Sequence, residues 1–175
     1  MLYAYWKSTS FTVTYNYYGG IAPEGSVGNA RLIFGEHYTL EIPVPSDATL
    51  VFGGWYQEPG GQGNRYTDEL GNSLAVWNTA NDDTTVYAYW IEALAFREST
   101  NGAYAVLKGP DINQVKNLII PVSYNGRPVS YIDSGAFSGC SSLVTVEIPD
   151  TIVQVGATGA TPFNAVSYTH LRAHE

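Results

Sequence analysis

The chain of 175 residues carries 16 acidic against eight basic side chains, a net charge of -8, with 45% hydrophobic and 14% aromatic residues. That balance excludes nucleic acid and anionic lipid as main partners, and it supplies enough apolar side chains for one or two cores. A single cysteine excludes a disulfide framework, and no apolar run reaches the length of a membrane span, so no membrane insertion is expected.

Residues 1–8 hold the word Tyr3-Ala4-Tyr5-Trp6, which recurs 84 residues later as Tyr87-Ala88-Tyr89-Trp90. A word repeated at that spacing reads as the closing strand of one structural unit. On this reading 1–8 is the last strand of a preceding unit and 9–92 is a full copy. Because Met1 then falls inside a repeat, the lack of a leader segment says little about the parent protein.

Phe11, Val13, Tyr15 and Tyr17 alternate with Thr12, Thr14 and Asn16, the period of a half-buried strand. Gly19-Gly20 ends it with positive φ, and residues 21–31 read as a Gly-rich loop. Tyr38, Leu40, Ile42 and Val44 form a second alternating set that ends at, or lies at an edge because of, Pro43. Leu50 to Tyr56 reads as a third strand, with a bulge or close backbone approach at Gly53-Gly54. Gly60 to Asn64 reads as a flexible loop, and Leu70, Leu74 and Trp77 would share a face if the segment were helical. Thr84 to Ile91 closes the unit with large side chains on both faces, as expected of a central strand or one covered on both sides.

Phe11 to Gly20, Phe52-Gly53-Gly54-Trp55-Tyr56, Tyr66-Thr67-Asp68-Glu69 and Tyr87-Ala88-Tyr89-Trp90 together resemble the Listeria–Bacteroides repeat, the B-repeat of internalin-type bacterial surface proteins. The resemblance covers about residues 9–92 and implies a small β-grasp-like unit occurring in tandem on secreted or wall-attached proteins. The loops at 21–31 and 59–65 are longer than in that pattern.

Beyond Ile91 the sequence changes character. Leu94-Ala95-Phe96 and Tyr104-Ala105-Val106-Leu107 flank Asn101-Gly102, a hairpin signal. Ile112, Val115, Leu118 and Ile120, followed by Pro121, are reproduced 28 residues on by Cys140, Leu143, Val146 and Ile148, followed by Pro149. That offset lies within the range of leucine-rich repeats: the last two positions alternate along a short strand, the earlier ones pack the turn entering it, and stacked copies align into a continuous core. Asn125-Gly126 makes a hairpin-like turn between the copies. The word Ile132-Asp133-Ser134-Gly135-Ala136-Phe137-Ser138-Gly139-Cys140-Ser141-Ser142-Leu143 resembles the BspA-type leucine-rich repeat of bacterial and protist surfaces, over about 112–163, with Val155-Gly156 and Phe163 opening a third copy. Residues 166–175 lack the spacing and resemble a translated sequencing adapter. They are read as non-native and set aside, the alternative being a disordered tail. Without them the charge remains -8.

The expected fold class is mainly β (α+β): a β-grasp-like repeat domain over 9–92, then a hairpin and a short leucine-rich-repeat solenoid fragment over 93–165.

No catalytic, cofactor-binding or metal-binding residue is assigned. Outside the tail His37 is the only histidine a nucleophile–base pair would have to use, and its place beside Glu36 before a strand reads as exposed loop. His170 and His174 lack a thiol or carboxylate cluster beyond Glu175. Cys140 fills a repeat core position and reads as a buried structural thiol. Asn81-Asp82-Asp83 lacks the spacing of a calcium loop and reads as turn chemistry. Gly60-Gly61-Gln62-Gly63 lacks the Lys-Ser or Lys-Thr of a phosphate loop. Tyr17, Tyr18, Trp55, Tyr56, Trp77 and Trp90 are either a sugar-stacking platform or core, and core is the reading preferred.

These observations and resemblances point to a non-catalytic segment of a bacterial surface or secreted repeat protein. It would be extracellular or cell wall-associated, a stalk or spacer joined to a surface that binds a protein ligand on a host or neighbouring cell. The alternative, resting on the aromatics, is a carbohydrate- or cell-wall-binding module with glycans as partners.

Overall fold

The computed structural model describes residues 9–81 and 83–156. The Tyr3-Ala4-Tyr5-Trp6 word, Asp82, Phe163 of the third copy and the 166–175 tail with His170 and His174 lie outside the described residues. The fold is mainly β, with two 3-10 turns and no α-helix among the described residues. It forms two compact units that divide at Trp90/Ile91, with Asp47–Val51 grouped with the second.

The first unit is built on strands β1 (Ser10–Asn16), β2 (Asn29–Ile33), β3 (Leu50–Glu58), β4 (Gln62–Arg65) and β5 (Thr84–Glu92), in the sheet order β2-β1-β5-β3-β4. β1 pairs antiparallel with β2, Val13 opposite Ala30, and parallel with β5, Tyr15 opposite Val86. β5 is therefore central, as its two-sided pattern predicts. The alternation in β1 is observed: Phe11, Val13 and Tyr15 are buried while Thr14 and Asn16 are exposed. They form one core with Leu32, Leu40, Phe52, Trp55, Trp77, Val86 and Ala88. Each large apolar side chain so buried contributes about 1.5–3 kcal/mol.

The two glycines after β1 have different jobs. Tyr18 and Gly19 take positive φ, 47° and 91°, and Asn16 Oδ1 accepts from the Tyr18 N–H at 3.0 Å. Gly20 has no such φ; a Cβ there would stand 2.1 Å from Trp90 Cζ2, so its missing side chain makes room for the Trp90 ring. Trp90 Nε1 donates to the Tyr17 carbonyl at 2.9 Å. Gly54 carries the close approach expected in β3: its φ is 116°, and a Cβ would lie 2.4 Å from the Thr67 carbonyl oxygen. Phe52 and Trp55, three residues apart, both face the core, so the alternation slips by one residue at Gly53-Gly54.

Four readings of this unit are corrected. The loop expected at 21–31 gives way to strand β2 from Asn29, whose lone buried side chain, Leu32, leaves no alternating signal. The loop expected at 60–64 is a hairpin in which β4 pairs with β3 through Tyr56 and Arg65, all four β4 residues being exposed. The set Tyr38, Leu40, Ile42, Val44 is not a strand. Isolated bridges pin it at Thr39–Asn72 and Ile21–Val44, Leu40 and Pro43 are buried, and Ile42 and Val44 are 46% and 47% exposed. Leu70, Leu74 and Trp77 form no helical face: Trp77 is buried and the two leucines are exposed.

The second unit contains β6 (Leu94–Glu98), β7 (Tyr104–Lys108), β8 (Asn117–Ile119), β9 (Ser123–Tyr124), β10 (Arg127–Ile132), β11 (Thr145–Glu147) and β12 (Gln154–Val155). β6 and β7 form the hairpin expected around Asn101-Gly102, and β9 and β10 the one around Asn125-Gly126, whose φ values of 48° and 73° suit a type I′ turn. β8 and β11 then pair in parallel with Asn117 opposite Thr145, Leu118 opposite Val146 and Ile119 opposite Glu147. That register equals the sequence offset of the repeat. A second parallel ladder runs β7-β10-β12, with β6 on its outer side. Ile112, Val115, Leu118, Ile120, Cys140, Leu143 and Val146 are all buried, and Phe137 is fully so.

Candidate functional site

The residues that bear chemistry are spread out. His37 is exposed, and its Nδ1 lies 2.9 Å from Ser73 Oγ, a partner that nothing in the sequence links to it. Ser73 Oγ also accepts the Tyr38 N–H at 3.1 Å, so the pair ties the extended segment at 38–44 to the loop at 72–74. Cys140 is 1% exposed, and burial pushes its thiol up from the ordinary value, which holds sulfur in its unreactive form. Asp83 takes a positive φ of 64°, and Thr84 Oγ1 donates to the Asn81 carbonyl, which is turn chemistry. Among the described residues no group of three His, Cys, Asp or Glu side chains is placed to hold a metal ion. Within the Gly60–Gly63 run, Gly60 and Gly61 belong to the 3-10 turn joining β3 to β4, and Gln62 and Gly63 begin β4.

The aromatics divide. Trp55 and Trp77 are 0% and 1% exposed and offer no open ring face. Tyr15 stacks on Trp55 at 4.8 Å, and Trp55 Nε1 donates to the Glu41 carbonyl at 2.8 Å. Tyr38 and Tyr66 pack on Trp77. Burial pushes the Tyr15 and Tyr38 phenols up to about 12. The Glu41 carboxylate gathers Tyr17 Oη at 2.5 Å and Ser26 Oγ at 2.7 Å, and Tyr17 is shifted upward by burial and by that carboxylate. This cluster joins the exit of β1, the 21–28 loop and the 38–44 segment. Its job is to hold the edge of the core.

An open site exists in the second unit. In the sheet β12-β10-β7-β6 one cross-strand row reads Gln154, Tyr131, Ala105, Arg97, each opposite the next. Neighbours in such a row share a face. A depression of about 440 Å³ lies along this row, bordered also by Asp133 and Ser99. Arg97 Nε donates to Asp133 Oδ2 at 3.1 Å, and Asn101 Nδ2 donates to Tyr131 Oη at 2.5 Å. On the opposite face Arg127 lies 4.5 Å over the Tyr104 ring and pairs with Glu98 at 2.5 Å, and the hydrogen bond and charge of Arg127 lower the Glu98 carboxyl.

Compared with protein-family models, with curated proteins and with solved structures, the chain shows no match.

Proposed function

We propose that the chain is a non-catalytic segment of a bacterial cell-surface or secreted repeat protein. The first unit serves as stalk or spacer and the second presents a recognition surface for a protein ligand on a host or neighbouring cell. The observation that carries this reading is the 28-residue register between β8 and β11, which is what stacked coils of a solenoid require. The second ladder, β7-β10-β12, supports it by supplying another side of the same coils. The resemblance of residues 132–149 to BspA-type leucine-rich repeats adds the surface location.

For the first unit, the order β2-β1-β5-β3-β4 with a parallel central pair favours a β-grasp-like unit. The irregular segments at 34–49 and 66–81 contribute Leu40 and Trp77 to the core against this sheet. The resemblance to the Listeria–Bacteroides repeat makes this a tandem spacer. The stacking platform imagined around Trp55 and Trp77 receives no support, since both rings are core.

Intact cells carrying the full-length gene test the reading. External protease should remove the epitope of this segment from intact cells. An epitope protected until the cells are lysed would overturn it.

A further inference from the structure

We propose that the outward face of the β6-β7-β10-β12 sheet is a binding site for a neutral saccharide, seated on the Tyr131 ring over the floor left by Ala105 and flanked by Arg97, Asp133 and Gln154. This proposal stands apart from the surface-protein reading, because the same groove would exist in any compartment.

Three observations lead to it. The first is shape. Ala105 is a small side chain in a row otherwise made of Arg97, Tyr131 and Gln154, so the row dips at its centre. The resulting hollow of about 440 Å³ falls in the size range of small-molecule sites. The second is preorganisation. Asn101, held in the β6–β7 turn, fixes the Tyr131 hydroxyl, so the ring is positioned before any ligand arrives.

The third is charge. Arg97 is matched by Asp133, two residues after Tyr131 on the same face, which leaves the lining rich in donors and acceptors but without an excess of either sign. An ionic ligand would have to break this pair. A polyhydroxylated neutral ring accepts from Arg97 and donates to Asp133 while both stay paired, and its C–H face lies against the phenol. A strand-forming peptide is the poorer fit. β7 lies between β6 and β10, and β10 between β7 and β12, so the floor of the groove offers no free backbone edge to extend.

The purified chain 1–175 can be passed over an array of neutral and sialylated oligosaccharides and over a peptide array, with the strongest neutral ligand then titrated by amide chemical shifts. The expected result is retention of neutral glycans, with shifts centred on Arg97, Ala105, Tyr131 and Gln154. Gln154→Ala, an exposed position, should weaken binding about tenfold, and Ala105→Leu should fill the floor and remove it. Tyr131→Phe keeps the ring but loses the Asn101 bond that positions it, so it should weaken binding, whereas Tyr131→Ala should abolish it. Retention of no neutral glycan, preference for peptides or for sialylated glycans, or unchanged affinity in both Gln154→Ala and Tyr131→Ala would overturn the proposal.

Discussion

Leu118 and Val146 stand opposite each other on neighbouring parallel strands, 28 residues apart in sequence and each 1% exposed. The hydrogen bond from Thr145 Oγ1 to Asn117 Oδ1, 2.7 Å long, repeats the same offset one position earlier. Both side chains fill the same buried space beside this ladder, so truncating either member opens a cavity against the other. Leu118→Ala and Val146→Ala should each cost about 2–4 kcal/mol, and the double variant should depart from additivity because the two sites share one space. Urea unfolding of the second unit, followed by a local probe, measures both effects.

The glycine at 54 is predicted to resist replacement. Gly54→Ala combines a φ of 116° with a Cβ 2.4 Å from the Thr67 carbonyl oxygen. The offending atom is backbone and cannot swing aside. A loss of more than about 2 kcal/mol is expected, against about 1 kcal/mol for Gly35→Ala, where φ is positive but the space is open. Thermal melts of the two variants decide it.

The indoles offer a paired comparison. Trp55 Nε1 donates to the Glu41 carbonyl, whereas Trp77 Nε1 is buried with no hydrogen-bond partner among the described residues. Trp55→Phe therefore strands an acceptor, and Trp77→Phe removes an unsatisfied donor. Trp55→Phe should be the more costly by about 1–2 kcal/mol.

Alkali should unfold the first unit within a definable window. Tyr15 and Tyr38 have phenols raised from 10.0 to about 12, chiefly by burial. A phenol raised in the folded state contributes stability that is whole below pH 10 and is lost as pH climbs toward 12. Absorbance of phenolate and loss of native circular dichroism should rise together in that window. Tyr38→Phe should shift the transition upward; an unchanged transition would refute the assignment.

How much of this was legible in the sequence follows from where each signal resides. β1 and β5 are bounded by burial on one or both faces, so their side chains announce them. The 28-residue spacing of Ile112–Ile120 and Cys140–Ile148 announces the β8–β11 pairing in the same way. β2 and β4 were not legible, because edge strands such as Asn29–Ile33 and Gln62–Arg65 bury little and take their identity from the partner backbone. The set Tyr38 to Val44 misled for the opposite reason: it alternates, but its backbone partners are loop residues at Ile21 and Gly71 rather than a strand. The open groove was invisible, since Arg97, Ala105, Tyr131 and Gln154 carry no shared motif and meet only through the register of four strands.

The proposal of stacked coils in the second unit rests on the pairing of β8 with β11, and that pairing tests it most directly. Cross-strand nuclear Overhauser contacts in the labelled chain should link Asn117 with Thr145, Leu118 with Val146 and Ile119 with Glu147 in a parallel pattern, with the Leu118 and Val146 side chains protected from solvent. An antiparallel pattern, a register displaced from 28 residues, or no contact between the two segments would contradict it.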